Sequence, residues 1–253
     1  MKLQKGLHSL TYRRDIVPDN KQYPFSLSAL NKLDTLNIHP KVTYFSGENG
    51  MGKSTLIEEI AISYGFNPEG GSKNFSFNTR SSHSILHEYI RLARGKKHKD
   101  GYFLRSESFF NVATNIDELD SEGTIGPKII DSYGGIPLHE QSHGESFWAL
   151  FMNRFSGNGL YILDEPEAAL SPKRQMAMLV RMHELIQEDS QFIIATHSPI
   201  VMAYPDATIY EISETGIAKT DYTETENYNL SRHFINNHQK MVDLLLFEKE
   251  EPE

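Results

Sequence analysis

Nine consecutive residues, Gly47-Glu48-Asn49-Gly50-Met51-Gly52-Lys53-Ser54-Thr55, fit the spacing G-x-x-x-x-G-K-[ST] of a phosphate-binding loop. Each position has a mechanical reason. Glycines let the backbone curl until its N–H groups point inward at phosphate oxygens. A lysine at position 53 reaches the outer phosphates, and the Ser54 hydroxyl is placed to ligate Mg2+. Gly47, Asn49, Gly50, Gly52, Lys53, Ser54 and Thr55 are therefore the candidate nucleotide contacts. A second segment, Leu160-Tyr161-Ile162-Leu163-Asp164-Glu165, is an apolar run ending in two acids. Such a run buries a strand and delivers its acids to the strand's carboxyl end. There Asp164 could hold Mg2+ and Glu165 could act as general base toward a water. A third, Phe192-Ile193-Ile194-Ala195-Thr196-His197-Ser198-Pro199, ends a buried run in His197, which could donate a hydrogen bond to a terminal phosphate.

The elements that must position these groups alternate between strand and helix. Val42–Ser46 reads as a strand entering the loop. Lys53 to about Tyr64 reads as a helix, with Leu56, Ile57, Ile60, Ala61 and Tyr64 recurring at helical spacing. Its positive N-terminal end faces the loop. Further strands are expected over 102–105, 159–164 and 191–196, with a hairpin formed by 208–213 and 217–221. Helices are expected over 84–94, 145–155, 172–187 and about 238–247, the last preceded by a short one from Ser231. Ser171 suits the cap of the 172–187 helix and Pro172 its first position. Residues 110–140, rich in Asp, Gly and Pro, read as irregular. The first 46 residues look strand-rich. This alternation implies a mostly parallel sheet.

Composition narrows the class. The 253 residues carry a net charge of −9, which speaks against broad nucleic-acid binding by the chain alone. The one dense basic run, 94–99, reads as a solvated loop. No cysteine is present, so disulfides and thiolate metal sites are out. No apolar run is long enough for a membrane span and none follows Met1 as a signal sequence would require, so a cytoplasmic location is expected.

With these motifs in order, the chain resembles the ABC/SMC class of P-loop ATPases, and its Asp164-Glu165-Pro166-Glu167 and Thr196-His197-Ser198-Pro199 wording is similar to small stand-alone bacterial ATPases of that class. The resemblance implies an α/β fold of the ABC ATPase type, with a mostly parallel central sheet, an N-terminal antiparallel β part and a helical signature subdomain. It implies one domain over 1–253: a nucleotide-binding core of 1–80 and 156–225, a helical part over 81–155, and a C-terminal helical segment with an acidic tail over 226–253. ATP and Mg2+ are the implied cofactors. The class's signature, usually Leu-Ser-Gly-Gly-Gln, maps onto Gln141-Ser142-His143-Gly144-Glu145. Ser142 and Gly144 match, while His143 and Glu145 depart. In the class this segment binds ATP held by a second protomer, so Ser142, Gly144 and Glu145 are expected to complete the site in a head-to-tail homodimer. The class's metal-side glutamine is absent, since no Gln occurs between Phe66 and Glu140, and Glu107 is the candidate replacement. Tyr23 stands about where transporters place an adenine-stacking aromatic. The implied role is an ATP-driven switch acting on a separate soluble partner, in nucleic-acid maintenance or phage defence. The alternative is the nucleotide-binding subunit of an ABC transporter.

Two further motifs compete. His139-Glu140-Gln141-Ser142-His143 matches the zinc-protease pattern H-E-x-x-H, with Glu165 or Glu167 as a third ligand. Gly134, Gly135 and Pro137 just upstream disfavour the helix it needs. Asn31-Lys32-Leu33-Asp34 matches the guanine-specificity pattern but precedes the phosphate loop rather than following it, so it reads as coincidence.

Overall fold

A computed structural model describes residues 5–72, 84–121 and 126–247. The strands are β1 (Leu7–Tyr12), β2 (Thr35–Asn37), β3 (Val42–Gly47), β4 (Gly71–Ser72), β5 (Ile90–Arg94), β6 (Asp100–Arg105), β7 (Gly159–Asp164), β8 (Gln191–Ala195), β9 (Thr208–Ser213) and β10 (Gly216–Thr220). The helices are α1 (Lys53–Tyr64), α2 (Phe109–Ser121), α3 (His143–Ala149), α4 (Pro172–Gln187), α5 (Glu226–Asn236) and α6 (His238–Phe247).

Strands β3, β7 and β8 are buried at every position. A strand covered on both faces has no reason to alternate, which is why these segments read as continuous apolar runs. They form the middle of a sheet ordered β10-β9-β3-β8-β7-β6-β4. Strands β9, β3, β8, β7 and β6 run parallel, and β10 and β4 add antiparallel edges. Successive residues of β7 feed opposite cores. Tyr161 and Leu163 pack with Phe192, with Ile116 of α2, Phe147 of α3 and Met178 and Met182 of α4. Leu160 and Ile162 pack with Leu56, Ile57 and Ile60 of α1 and with the second sheet. That second sheet is antiparallel, ordered β2-β1-β5.

A single side chain ties the sheets together. Gln191, fully buried at the start of β8, accepts a hydrogen bond from Leu7 N (2.9 Å) and donates to Leu7 O (2.8 Å) and His39 O (2.9 Å). Every polar atom of its amide is thereby used on main-chain groups of Leu7 and His39.

The expected α/β architecture with an antiparallel part is present, and four local expectations change. Residues 84–94 are not a helix: a 3-10 turn over Ile85–Tyr89 gives way to β5. Apolar residues recur there at near-helical spacing, but pairing with β1 sets the conformation. Residues 110–140 are not irregular throughout: helix α2 covers Phe109–Ser121 and 3-10 turns cover Ile129–Tyr133 and Leu138–Glu140, while 122–125 lie outside the described residues. Phe109, Val112, Ala113 and Ile116 recur at i, i+3, i+4 and i+7 and form the buried stripe of α2. The expected 145–155 helix begins two residues earlier and loosens into a π-helical turn over Leu150–Arg154. Helix α5 starts five residues before Ser231, because the Thr225 hydroxyl caps it by accepting from Tyr228 N. As expected, Ser171 caps α4, accepting from Arg174 N, with Pro172 at its first position. No helix among the described residues is long and apolar enough to cross a membrane.

Replacing Gln191 by Leu keeps the volume but strands three buried backbone groups, each worth roughly 1–3 kcal/mol. The variant Gln191→Leu is expected to lose about 3 kcal/mol of stability, read as a lower urea midpoint with an unchanged slope. An unchanged midpoint would refute the tie between the sheets.

Candidate functional site

The strand order β3-β8-β7-β6 sets the motif-bearing strands side by side, so their carboxyl ends share one edge of the sheet, where open α/β sheets bind ligands. The phosphate loop leaves β3. Gly47 at φ 135° lies so close to β9 that a Cβ there would meet Ile212 O at 2.1 Å. Gly52 at φ 94° then turns the chain into α1. Only glycine takes both positions without strain. Lys53 is 4% exposed and its Nζ donates to Glu48 O at 2.9 Å, curled within its own loop. Burial pushes its pKa down, opposed by the carboxylates of Glu165, Asp164, Glu167 and Glu48. A cavity of about 270 Å³ lies over the loop, lined by Tyr23, Leu27, Asn49, Gly50, Gly52, Lys53, Ser54, Thr55 and Glu165.

The acids of β7 meet the loop. Asp164 is buried, and desolvation pushes its carboxyl up to about 7, with Glu165 and Glu107 adding to the rise and the Ser54 hydroxyl and Arg105 resisting it. Its Oδ1 is buried without a hydrogen-bond partner. A buried carboxylate oxygen left open beside a serine hydroxyl is the donor set a hard divalent cation takes, so Ser54 and Asp164 fit Mg2+. Next, Glu165 sits in the left-handed region (φ 48°, ψ 54°), held there by its N–H to Ala195 O at 2.9 Å. The Ser106 hydroxyl adds a contact at 2.9 Å to the Glu165 carbonyl. His197 Nε2 lies 3.5 Å from Glu165 Oε1 and makes no hydrogen bond. Glu167 is the clamp: its Oε1 accepts from His197 N (2.6 Å) and Ser198 N (3.2 Å), fixing the histidine loop to the turn after β7.

Glu107 follows β6 and is bound by Arg105 Nη2 at 3.4 Å, while Arg105 Nη1 holds Glu58 of α1 at 3.2 Å. Arg105 pairs in register with Asp164. Tyr23 is 67% exposed and stands at the cavity rim rather than in the core. Ser142, Gly144 and Glu145 do not line this cavity. Ser142 caps α3 in a capping box, its N–H and hydroxyl both donating to Glu145 Oε2, which holds the Glu145 carboxyl below its usual pKa. That box accepts Glu as readily as Gln, which accounts for the departure at position 145. Gly144 is required by contact: a Cβ would meet Ala169 O, in the turn after Glu165, at 2.7 Å.

The zinc pattern does not assemble. Gln141 and Ser142 are extended between the 3-10 turn of Leu138–Glu140 and α3, so His139 and His143 never share one helix face. Both rings instead stack on Phe110, at 6.1 and 5.1 Å. Asn31 packs on the β9–β10 hairpin through Glu214 O, away from the cavity lining. Sequence reading did not single out Leu27, Arg105, Glu58 and Ser106. No local pattern marks them: sheet register sets Arg105 beside Asp164, Ser106 donates to the Asp164 and Glu165 carbonyls, and Glu58 reaches Arg105 from α1.

Comparison with known proteins follows this geometry. A family model described as "AAA domain, putative AbiEii toxin, Type IV TA system" matches residues 81–203. Among solved structures, "An inward-facing conformation of a putative metal-chelate type ABC transporter" aligns over 89% of this chain and 88% of its own at 15% identity, with a TM-score of 0.51. An ATP-binding cassette of an ABC transporter in its ADP conformation aligns over 96% and 100% at 20% identity, TM-score 0.49. The SMC head domain from Thermotoga maritima aligns over 85% and 99% at 16% identity, TM-score 0.42. No curated protein matches the chain. Fold and comparison together give an α/β domain whose fold is similar to that of the ABC transporter structure, with residues 81–203 similar to the AAA family model.

The site has a pH signature. Glu59 of α1 is fully buried, 3.5 Å from His87 Nδ1, and burial raises its pKa to about 7. The folded chain therefore keeps this proton to higher pH than the unfolded chain does. Its stabilisation is complete below the ordinary carboxylate pKa and is lost as pH rises through about 7. Asp164 acts in the same direction. Urea midpoints measured without divalent metal should fall between pH 5 and pH 8, and less steeply in Glu59→Gln. Equal slopes in the two proteins would contradict the assignment.

Proposed function

We propose that this chain binds and hydrolyses ATP, and that it works as a nucleotide-driven switch on a separate partner. The observation that carries the reading is the open oxygen of Asp164, buried beside Ser54 at the foot of the phosphate loop. Ser54, Asp164 and Glu107 would hold Mg2+, which supplies charge neutralisation at the outer phosphates. Lys53 would exchange the Glu48 carbonyl for a phosphate oxygen. Asn49, Gly50, Gly52 and Thr55 would line the phosphates through the loop and the start of α1, and Tyr23 would stack on the adenine. Glu165 would orient the attacking water and draw its proton. His197, its Nε2 uncommitted, would hydrogen-bond the terminal phosphate. Glu167 would keep His197 at its working distance from Glu165.

Half of the site would come from a second copy. Ser142, Gly144 and Glu145 lie outside the cavity lining, which supports their service to a partner's nucleotide in a head-to-tail dimer. Ser142 would then trade its bond to Glu145 for a phosphate oxygen. ATP would join the two sites and hydrolysis would part them, turning nucleotide state into shape. The family description, with its toxin of a Type IV TA system, favours a soluble partner over a membrane permease.

Two experiments test this. Phosphate release should fall about 10²- to 10⁴-fold in Glu165→Gln while bound ATP survives gel filtration; hydrolysis at the wild-type rate would sink the role of Glu165. Because the chain has no cysteine, the pair Asn49→Cys and Ser142→Cys in the Glu165→Gln background gives a clean readout. An inter-chain disulfide should form under mild oxidation with Mg-ATP and not without nucleotide. Its absence with Mg-ATP would overturn the head-to-tail arrangement.

A further inference from the structure

Seven of the fifteen large hydrophobic side chains exposed among the described residues lie far along the chain from the site motifs, on α5 and α6. The two helices have 11 and 10 residues, and neither has a buried one. Isolated helices of that length are marginal in water and depend on packing of an apolar face. The face exists. In α5, Asn227, Tyr228 and Ser231 are half-buried against the body, and the same stripe continues at helical spacing to Phe234 and Ile235, where the helix has run past its support. In α6, Met241 and Val242 are half-buried, and Leu245 and Leu246 follow at i+4. Leu230, Phe234, Ile235, Leu244, Leu245 and Leu246 remain 41% to 72% exposed. At on the order of 100 Å² each, these six present roughly 600 Å² per copy, close to the ~800 Å² per partner of a stable interface.

We propose that α5 and α6 form a nucleotide-independent homodimer contact, the two helices of one copy packing on those of a second to make a four-helix cluster. Charge supports self-pairing. The chain carries −9, but residues 226–247 carry Glu226 and Asp243 against Arg232 and Lys240, a net charge of zero, so two copies meet here without like-charge repulsion. The run that follows, Glu248-Lys249-Glu250-Glu251-Pro252-Glu253, offers no large apolar side chain to lay over the face. Its acidity also opposes an anionic membrane surface. Helix α5 is rooted at the site: Asn227 Nδ2 donates to Ser46 Oγ at 3.2 Å, one residue before the phosphate loop, and Glu226 N donates to Glu211 Oε1 at 2.9 Å. Where the proposed function holds, such a pair keeps two phosphate loops at high local concentration, so that ATP closes them within one complex.

The test is sedimentation of the full chain without nucleotide at about 50 µM, since association depends on protomer concentration. Wild type and Lys53→Ala should both run at twice the 28.9 kDa chain mass. The double variant Ile235→Glu, Leu245→Glu replaces side chains 71% and 72% exposed, so the protomer should keep its circular dichroism and melting cooperativity while association weakens at least ~100-fold. A monomeric wild type would overturn the proposal, including one that binds neutral phosphatidylcholine vesicles. So would a dimer that the double variant leaves unchanged. A chain that dimerises without nucleotide yet releases no phosphate would leave this contact standing and remove the ATPase reading instead.

Discussion

A carboxylate at the end of a strand buried on both faces is the constraint around which this molecule is arranged. Strand β7 has no exposed residue, so Asp164 arrives at the sheet edge with little water around it, and its carboxyl is pushed up to about 7. Leaving such a group without compensation is costly. The compensation comes from two separate stretches, the Ser54 hydroxyl at the start of α1 and the Arg105 guanidinium in register on β6, and it leaves Oδ1 open to a cation. A buried carboxylate charge that is costly alone is also what would draw a metal.

The turn after β7 converts this local demand into coupling between distant segments. Glu165 occupies left-handed backbone, a conformation that costs a non-glycine residue on the order of 1–3 kcal/mol and is offset here by its bond to Ala195 O. Two residues on, Glu167 grips the N–H groups of His197 and Ser198. Ala169 O, at the end of the same turn, is the atom against which Gly144 of α3 rests. One short turn thus touches the general-base candidate, the histidine loop and the segment expected to face a second copy. Movement of any one must be felt by the others, because the contacts are too close to absorb a shift.

The arginine on β6 extends that network to the P-loop helix. Arg105 bridges Glu58 of α1 and Glu107, which follows β6. The longer side of the network reaches α5 through Ser46 and Asn227. Both ends of the β3 unit are therefore held by side chains from other strands and helices rather than by the loop itself.

The sequence by itself determined the chemistry and the central strands. The glycine spacing of 47–52, the acids closing an apolar run at 164–165 and the histidine after 192–196 are local requirements, legible because the backbone at each point depends on its own residues. Strands β3, β7 and β8 were legible for the same reason, since burial on both faces leaves an unbroken apolar run. Tertiary structure decided what local pattern leaves open. It made Ile90–Arg94 a strand by pairing it with β1, gave Phe109–Ser121 a core to wrap its sparse apolar stripe around, and used Gln191 to join two sheets. It set Tyr23 at the rim of the cavity, brought Arg105 beside Asp164 through strand register and Ser106 to the carbonyls of Asp164 and Glu165, and joined Glu58 of α1 to Arg105. Those placements rest on hydrogen bonds and contacts between residues tens to hundreds of positions apart, and no window of sequence contains both partners.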